Sequence, residues 1–220
     1  MPNAIILKAW MAATGLFLVL FLIVHALGNA QLFLPPELAQ TRFNAYSQAL
    51  TSNPLIQVAS WITYASVVVH TILSIRVTRR NAAARSTRYH LERPQHGSRW
   101  YARSMGILGV VLLLFLVVHL WGFWYPYRFG DLARDAAGHV DLYAIVVGDF
   151  SNVGIVTFYV VCMVAVGFHV RHGVVAGVRS LGLYGRGATR TVERIAPWLA
   201  WGLVVLFAAM PLTVYLRGLR

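Results

Sequence analysis

Five apolar stretches divide this chain, at residues 9–27, 56–75, 105–125, 153–170 and 197–216. A helix needs about 20 mostly apolar residues to cross a bilayer, and each stretch is close to that length. No linker or soluble domain is visible between them, and only seven of the 220 residues are acidic. The sequence therefore predicts an all-α integral membrane bundle of five transmembrane helices, with residues 1–220 forming one domain.

The first stretch follows a single lysine, Lys8, and no small-residue cleavage site comes after it. We therefore expect a retained helix rather than a signal peptide. Eight arginines follow the second stretch and five follow the fourth, whereas one follows the first and two follow the third. The positive-inside rule then places the N-terminus in the cytoplasm and the C-terminus outside, and this distribution argues against a nucleic-acid partner.

Two segments are expected on the outer side. Residues 35–54 carry apolar side chains at helical spacing between prolines, which predicts a short amphipathic helix on the membrane surface. Residues 125–152 are longer and irregular, and we interpret them as a cap over the outer end of the bundle.

Four histidines lie inside the apolar stretches, each near the C-terminal end of its own stretch: His25, His70, His119 and His169. Successive helices run in opposite directions, so His25 and His119 share the outer half of the membrane, and His70 and His169 share the inner half. The rise of a helix puts the two pairs about 15 Å apart in depth. The other histidines in loops, His90, His96 and His139, are interpreted as solvated.

Two facing histidines at each of two depths favour two bis-histidine haem sites. Iron held between two imidazoles suits electron transfer, whereas zinc would need three or four ligands at one level. Small residues lie one turn from each ligand, as a flat macrocycle requires: Gly28, Ser66, Ser74, Gly122, Ala165 and Gly173. Ser66 is also a candidate acceptor for the second ring nitrogen of His70. The alternative for each histidine alone is a hydrogen bond between helices.

The chain resembles the single-chain, five-helix cytochrome b anchor of bacterial succinate dehydrogenases and fumarate reductases. The resemblance covers nearly the whole chain and rests on the order and spacing of five segments: KAWMAATGLFLVLFLIVHALGNAQLF, FNAYSQALTSNPLI, SVVVHTILSIRV, SRWYARSMGILGVVLLLFLVVHLWGF and FYVVCMVAVGFHVRHGVVAGVRSLG. It implies two haem b groups, the outer bound by His25 and His119 and the inner by His70 and His169.

The family also implies partners and a location. A flavoprotein subunit with FAD would interconvert succinate and fumarate, and an iron-sulfur subunit would pass electrons to this chain, which itself has no succinate chemistry. A membrane quinone, expected to be menaquinone, would exchange electrons with one haem as part of a respiratory chain. The expected location is the bacterial cytoplasmic membrane, in contact with lipid.

Several further residues receive roles by the same resemblance. Arg76, Arg171 and Lys8 are placed to bind haem propionates. His169, not His172, matches the position of the family's ligand, and His172 is left as an interfacial residue able to hydrogen-bond a propionate. Outer-end candidates for the quinone are Asn29, Gln31, Asn44, Tyr46 and Trp121, while a quinone site at the inner end stays open.

One position departs from the family pattern. Some members carry a glutamate two residues before the fourth ligand, where this chain has Gly167, and none of the five stretches contains Asp or Glu. We therefore expect no carboxylate proton relay through the bundle. Two other classes remain as alternatives: the cytochrome b subunit of a hydrogenase or formate dehydrogenase, and a histidine-lined transporter or pH sensor.

Overall fold

The computed structural model describes residues 4–83, 100–183 and 185–219, and most of these residues lie in helices. His90 and His96, together with four arginines of the same loop, lie outside the described residues. In chain order, the helices are α1 (Ala4–Asn29), α2 (Pro36–Ser52), α3 (Pro54–Ala83), α4 (Trp100–Arg103), α5 (Met105–His119), α6 (Tyr125–Phe129), α7 (Leu142–Phe150), α8 (Val153–Ser180) and α9 (Arg186–Gly218). A 3-10 turn (Ala30–Phe33) follows α1.

Five helical segments are long and apolar enough to cross a membrane, which confirms the five predicted helices and the all-α class. They are Ile5–Phe33, Pro54–Asn81, Met105–Phe129, Val153–Ser180 and Thr189–Gly218. All extend beyond the predicted stretches, because helices continue past the end of their apolar residues. The fifth begins well before Pro197, which lies inside α9 together with Pro211. This longer segment includes Glu193, which pairs with Arg179 of α8.

The third segment is not one regular helix. α5 ends at His119, and a π-helical segment, Leu120–Trp124, separates it from α6. A π-helix widens the turn by one residue, so it rotates the side chains that follow relative to a continuous α-helix. Periodicity at 3.6 residues could not have predicted this change, which begins directly after one of the four histidines.

Helix α8 is the centre of the bundle and packs against α1, α5 and α9. It contributes nine buried residues, among them Cys162, Met163 and Val166, which join Ala200 and Leu203 of α9 in one apolar cluster. Helix α3 packs mainly against α1. α1, α3, α5 and α8 thus surround an interior space, with α9 on the outer side of α8.

The two ends of the bundle differ in character. The Arg-rich end carries eight described arginines on the ends of α3, α4, α8 and α9: Arg76, Arg79, Arg80, Arg103, Arg171, Arg179, Arg190 and Arg194. The capped end is covered by α2, α6 and α7. The helix predicted within residues 35–54 is confirmed as α2, whereas residues 125–152 were expected to be irregular and instead contain α6 and α7.

Polar contacts order the turn that leads from α1 into the cap and the start of α7 within it. The Arg217 guanidinium, at the end of α9, donates to the backbone carbonyls of Leu32, Phe33 and Leu34 at 2.7–2.9 Å. These carbonyls end the 3-10 turn and have few helical partners, so one side chain satisfies all three. Helix α7 begins with Asp141, whose carboxylate accepts from the Ala144 amide at 3.1 Å.

Gly167 lies where α8 packs tightly against α9. An ideal Cβ at this position would lie 2.8 Å from Cγ2 of Val204 and 3.1 Å from the Trp201 ring. There is no room for the glutamate that some members of the resembling family carry here. The glycine therefore serves packing between these two helices.

Replacing Gly167 by alanine should destabilise the bundle. The added methyl group overpacks the α8–α9 contact, and we expect the free energy of unfolding to fall by about 1–2 kcal/mol relative to Gly202→Ala. Gly202 is the matched control because it lies on α9 and has no atom within 4 Å of an added Cβ. Thermal unfolding in detergent measures both variants, and equal stability would contradict the packing role of Gly167.

Candidate functional site

The four histidines of the apolar stretches meet as two pairs. The ring centres of His25 and His119 are 5.9 Å apart, and those of His70 and His169 are 6.3 Å apart. His25 of α1 reaches across the interior to α5, and His70 of α3 reaches across to α8. The pairing expected from helix direction and depth is therefore present, with one pair nearer the capped end and the other nearer the Arg-rich end.

The spacing of each pair fits a metal bound between two imidazoles. Metal–nitrogen bonds of about 2 Å on either side of one ion would hold the ring centres roughly 6 Å apart. Nδ1 of His169 is fully buried and has no hydrogen-bond partner among the described residues. An unsatisfied buried nitrogen costs free energy, and coordination to a metal is one way to satisfy it. In the described ranges no group of three or more His, Cys, Asp and Glu side chains is placed to hold a metal.

The second ring nitrogen of His70 has a partner on α1. Nδ1 lies 3.2 Å from the Met11 carbonyl and 3.3 Å from the Thr14 hydroxyl. The expectation that Ser66 would play this part was wrong, because the ring points toward α1 rather than along its own helix. A Cβ at Gly15 would lie 3.0 Å from the His70 ring, so this glycine makes room for it. The contact at Nδ1 leaves Nε2 of His70 available for a metal.

The pair near the capped end lies among polar and aromatic side chains. The Asn29 amide lies 3.4 Å from Nδ1 of His25 and donates to the His25 carbonyl at 2.7 Å. The Tyr159 hydroxyl lies 3.4 Å from Nδ1 of His119. Four rings surround the pair, two from the histidines' own helices α1 and α5, one from the π-helical segment and one from α9: Phe21, Phe115, Phe123 and Phe207. These neighbours fix the orientation of both imidazoles.

A glycine lies one turn beyond each histidine of this pair, and a cap side chain covers each one. The Tyr46 ring of α2 packs on Gly28, where an ideal Cβ would lie 2.9 Å from the phenol oxygen. The Asp149 carboxylate of α7 lies against Gly122, where any Cβ would collide with it. These glycines therefore form two small recesses, each facing a polar group that the cap supplies.

The candidate propionate ligands lie at the Arg-rich end. Arg171 stacks on the Tyr101 ring at 5.2 Å, and His172 meets the same ring at 6.2 Å. The side chains of Arg76 and Lys8 are exposed. His172 thus faces α4 and takes no part in the contact between His70 and His169. Of the two neighbouring histidines on α8, His169 is the one that meets another histidine in the described residues.

The five candidates for the quinone lie in different environments at the capped end. Asn29 adjoins His25, and Tyr46 has no hydrogen-bond partner for its phenol among the described residues. Gln31 donates to the Gly28 carbonyl at 3.1 Å. Trp121 is 70% exposed and stacks on Tyr125. Asn44 is completely buried and hydrogen-bonded on both sides of its amide, so it has no group left for a ligand.

Sequence reasoning missed Asp149, whose carboxylate lies against Gly122, three residues beyond His119. Nothing in the sequence shows that α7 folds back onto the π-helical segment. Its carboxylate is half-buried and has no hydrogen-bonding or cationic partner in the described part of the chain. Burial raises the pKa of the Asp149 carboxyl above its ordinary value.

An Asp149→Asn variant is expected to be more stable than the wild type at neutral pH. A carboxyl whose folded pKa is raised is most stable when protonated, so the wild type loses stability as pH rises through that pKa, and asparagine does not. The difference should shrink toward acid pH in thermal unfolding experiments. Asp131→Asn, at an exposed acid of the same end, is the control. Destabilisation of Asp149→Asn at neutral pH would reveal an essential contact of the carboxylate.

Comparison of the chain with known protein families, with curated proteins and with solved structures gives no significant match.

Proposed function

We propose that this chain is the dihaem cytochrome b membrane anchor of a succinate:quinone oxidoreductase, carrying electrons between an iron-sulfur subunit and a membrane quinone. The observation that carries the proposal is the meeting of four intramembrane histidines as two pairs, at 5.9 Å and 6.3 Å. Ionisable side chains inside a membrane bundle are costly and usually functional. Two matched histidine pairs on four helices favour one shared function, and the resemblance to the family suggests that this function is haem binding.

The protein's part in this function is to hold and orient two haem b groups. Iron bound between two imidazoles supplies one-electron transfer without an open position for a substrate. His70 and His169 would hold the group near the Arg-rich end, and His25 and His119 the group near the capped end. The contact of His70 Nδ1 with Met11 and Thr14 fixes the ring for binding through Nε2.

The Arg-rich end is the surface we assign to the partner subunits. In this proposal it faces the cytoplasm of a bacterial cell, in accord with the positive-inside rule. The iron-sulfur subunit would dock there and pass electrons to the nearer pair, and the flavoprotein subunit with its FAD would carry the succinate chemistry. Arg171 and His172, held by Tyr101, are available for haem propionates at this end.

We assign the quinone, as menaquinone, to the capped end. Reduction of a quinone to a quinol takes up two electrons and two protons, so its site needs polar groups that exchange protons. Tyr46 offers a phenol without a hydrogen-bond partner in the described ranges, Asn29 an amide beside His25, and Asp149 a half-buried carboxylate. Burial raises the pKa of the Asp149 carboxyl, which makes this group a candidate proton donor and acceptor for the quinone. This site belongs to the cap, so it needs no carboxylate relay through the bundle.

Copurification with tagged protein tests the proposal as a whole. Expression of the tagged chain in its native host should recover a flavoprotein and an iron-sulfur protein, and the complex should couple succinate oxidation to reduction of menadione. Charge reversal of Arg79 and Arg80, on the exposed end of α3, should weaken the association. Recovery of a hydrogenase or formate dehydrogenase instead would contradict the assignment while keeping an electron-transfer role.

A further inference from the structure

Asn44 is the most deeply buried polar residue of the cap. It lies in α2, its side chain is completely inaccessible, and it makes three hydrogen bonds. Its amide nitrogen donates to Asp135 at 3.2 Å and to Asp141 at 2.9 Å. Its amide oxygen accepts from the backbone N–H of Tyr143 at 2.9 Å. Every polar atom of this side chain is therefore used to join α2 to the segment that begins α7.

The same segment makes further contacts with α2. Gln40, one turn before Asn44, donates to Asp141 at 2.7 Å. Asp141 is also the N-cap of α7, so one carboxylate ties the start of α7 to two side chains of α2. Hydrogen bonds to a carboxylate are stronger than those between neutral groups. We call Gln40, Asn44, Asp135 and Asp141 the cap latch.

The two helices joined by the cap latch carry the two polar groups that lie against the glycines next to the histidine pair. Tyr46 follows Asn44 by two residues on α2 and packs on Gly28. Asp149 lies two turns beyond Asp141 on α7 and packs on Gly122. In the described residues, neither the Tyr46 hydroxyl nor the Asp149 carboxylate makes a hydrogen bond to the bundle. Apolar packing on the bundle helps to place α2 and α7, and the cap latch supplies the side-chain hydrogen bonds that join the two helices to each other.

We propose that Asn44 is a positioning residue, which by joining α2 to α7 holds Tyr46 and Asp149 together over Gly28 and Gly122 and so keeps the quinone site assembled. This step rests on the proposed function, because the quinone is assigned to the capped end there. In this proposal Asn44 does not bind the quinone but positions the residues that do. A buried amide with all its hydrogen bonds made specifies one arrangement of its neighbours, because any other leaves polar groups unpaired.

The test compares Asn44→Ala, Tyr46→Phe and the double variant in the full-length protein, with Gln48→Ala on the exposed face of α2 as the control. The first measurement is the dissociation constant of menadione, followed by quenching of tryptophan fluorescence. Asn44→Ala should raise this constant about tenfold, which corresponds to about 1.4 kcal/mol. Tyr46→Phe should raise it as well. If Asn44 acts through Tyr46, the double variant should be no weaker than Asn44→Ala alone.

The second measurement is hydrogen exchange of backbone amides in the same samples. Asn44→Ala should lose protection in both α2 and α7, beginning at the Tyr143 amide, while α8 stays protected. Gln40→Ala removes one contact of the latch and should give a smaller effect of the same kind, should Asn44→Ala fail to fold. Gln48→Ala should match the wild type.

The outcomes separate this proposal from the function on which it rests. Unchanged protection of α7 in Asn44→Ala overturns the positioning role, and so does full additivity of the two single variants. A wild-type protein that does not bind menadione contradicts the quinone site instead, and hydrogen exchange alone then decides whether Asn44 holds α2 and α7 together.

Discussion

Replacing His169 by alanine is expected to remove one of two haems, whereas replacing His172 is expected to keep both. The two histidines are three residues apart on one helix, so their sequence positions are nearly equivalent. Their environments are not equivalent. The His169 ring lies 6.3 Å from the His70 ring, while the His172 ring lies against Tyr101 at the Arg-rich end.

The haem content of purified protein, measured against protein concentration, checks this prediction. His169→Ala should fall from two haems per chain to one, and the remaining haem should keep the spectrum of the pair near the capped end. His172→Ala is the matched control, since it removes an imidazole of the same helix that is not paired with another histidine among the described residues. Loss of haem in His172→Ala with retention in His169→Ala would contradict the ligand assignment.

The pairing itself predicts a pattern of non-additive losses. His25→Ala and His119→Ala should each lose the same haem, because the two rings face each other across α1 and α5 at 5.9 Å. The double variant should then lose no more than either single variant. By contrast, His25→Ala combined with His169→Ala should lose both haems, since one ligand is taken from each pair.

Reduced-minus-oxidised spectra of the four variants read out this pattern. Substitutions within one unit are non-additive, and substitutions in separate units add. If the double variant with one substitution in each pair lost no more haem than the double variant within one pair, the two pairs would not be separate haem sites. Folding of each variant is monitored through helix content, so that a lost haem is not mistaken for a lost bundle.

Much of this arrangement could be predicted from the sequence, because it follows from helix direction and length alone. Antiparallel neighbours place His25 at the level of His119, and His70 at the level of His169, without any knowledge of side-chain contacts. The spans and the surface helix α2 follow from apolar runs and from periodicity. Each of these features depends on residues close together in the chain.

The features that escaped prediction depend on neighbours distant in the chain. Ser66 was the expected hydrogen-bond partner for His70 because it lies one turn away on α3. The partner is instead determined by the helix that faces the ring, which is α1. The contact of Asp149 with Gly122 could not be predicted, because the fold of α7 onto the π-helical segment has no local signature. Asn44 looked like a ligand for the same reason, since its three partners lie about 100 positions away along the chain.

The most direct test of the central claim is the haem count of the purified wild-type chain, taken with its reduced-minus-oxidised spectrum. The account predicts a b-type spectrum and two haems per chain, with each haem assigned to one histidine pair by the variants above. A chain without a b-type signal would contradict it. So would a chain with a single haem that is lost on replacing any one of His25, His70, His119 and His169 by alanine.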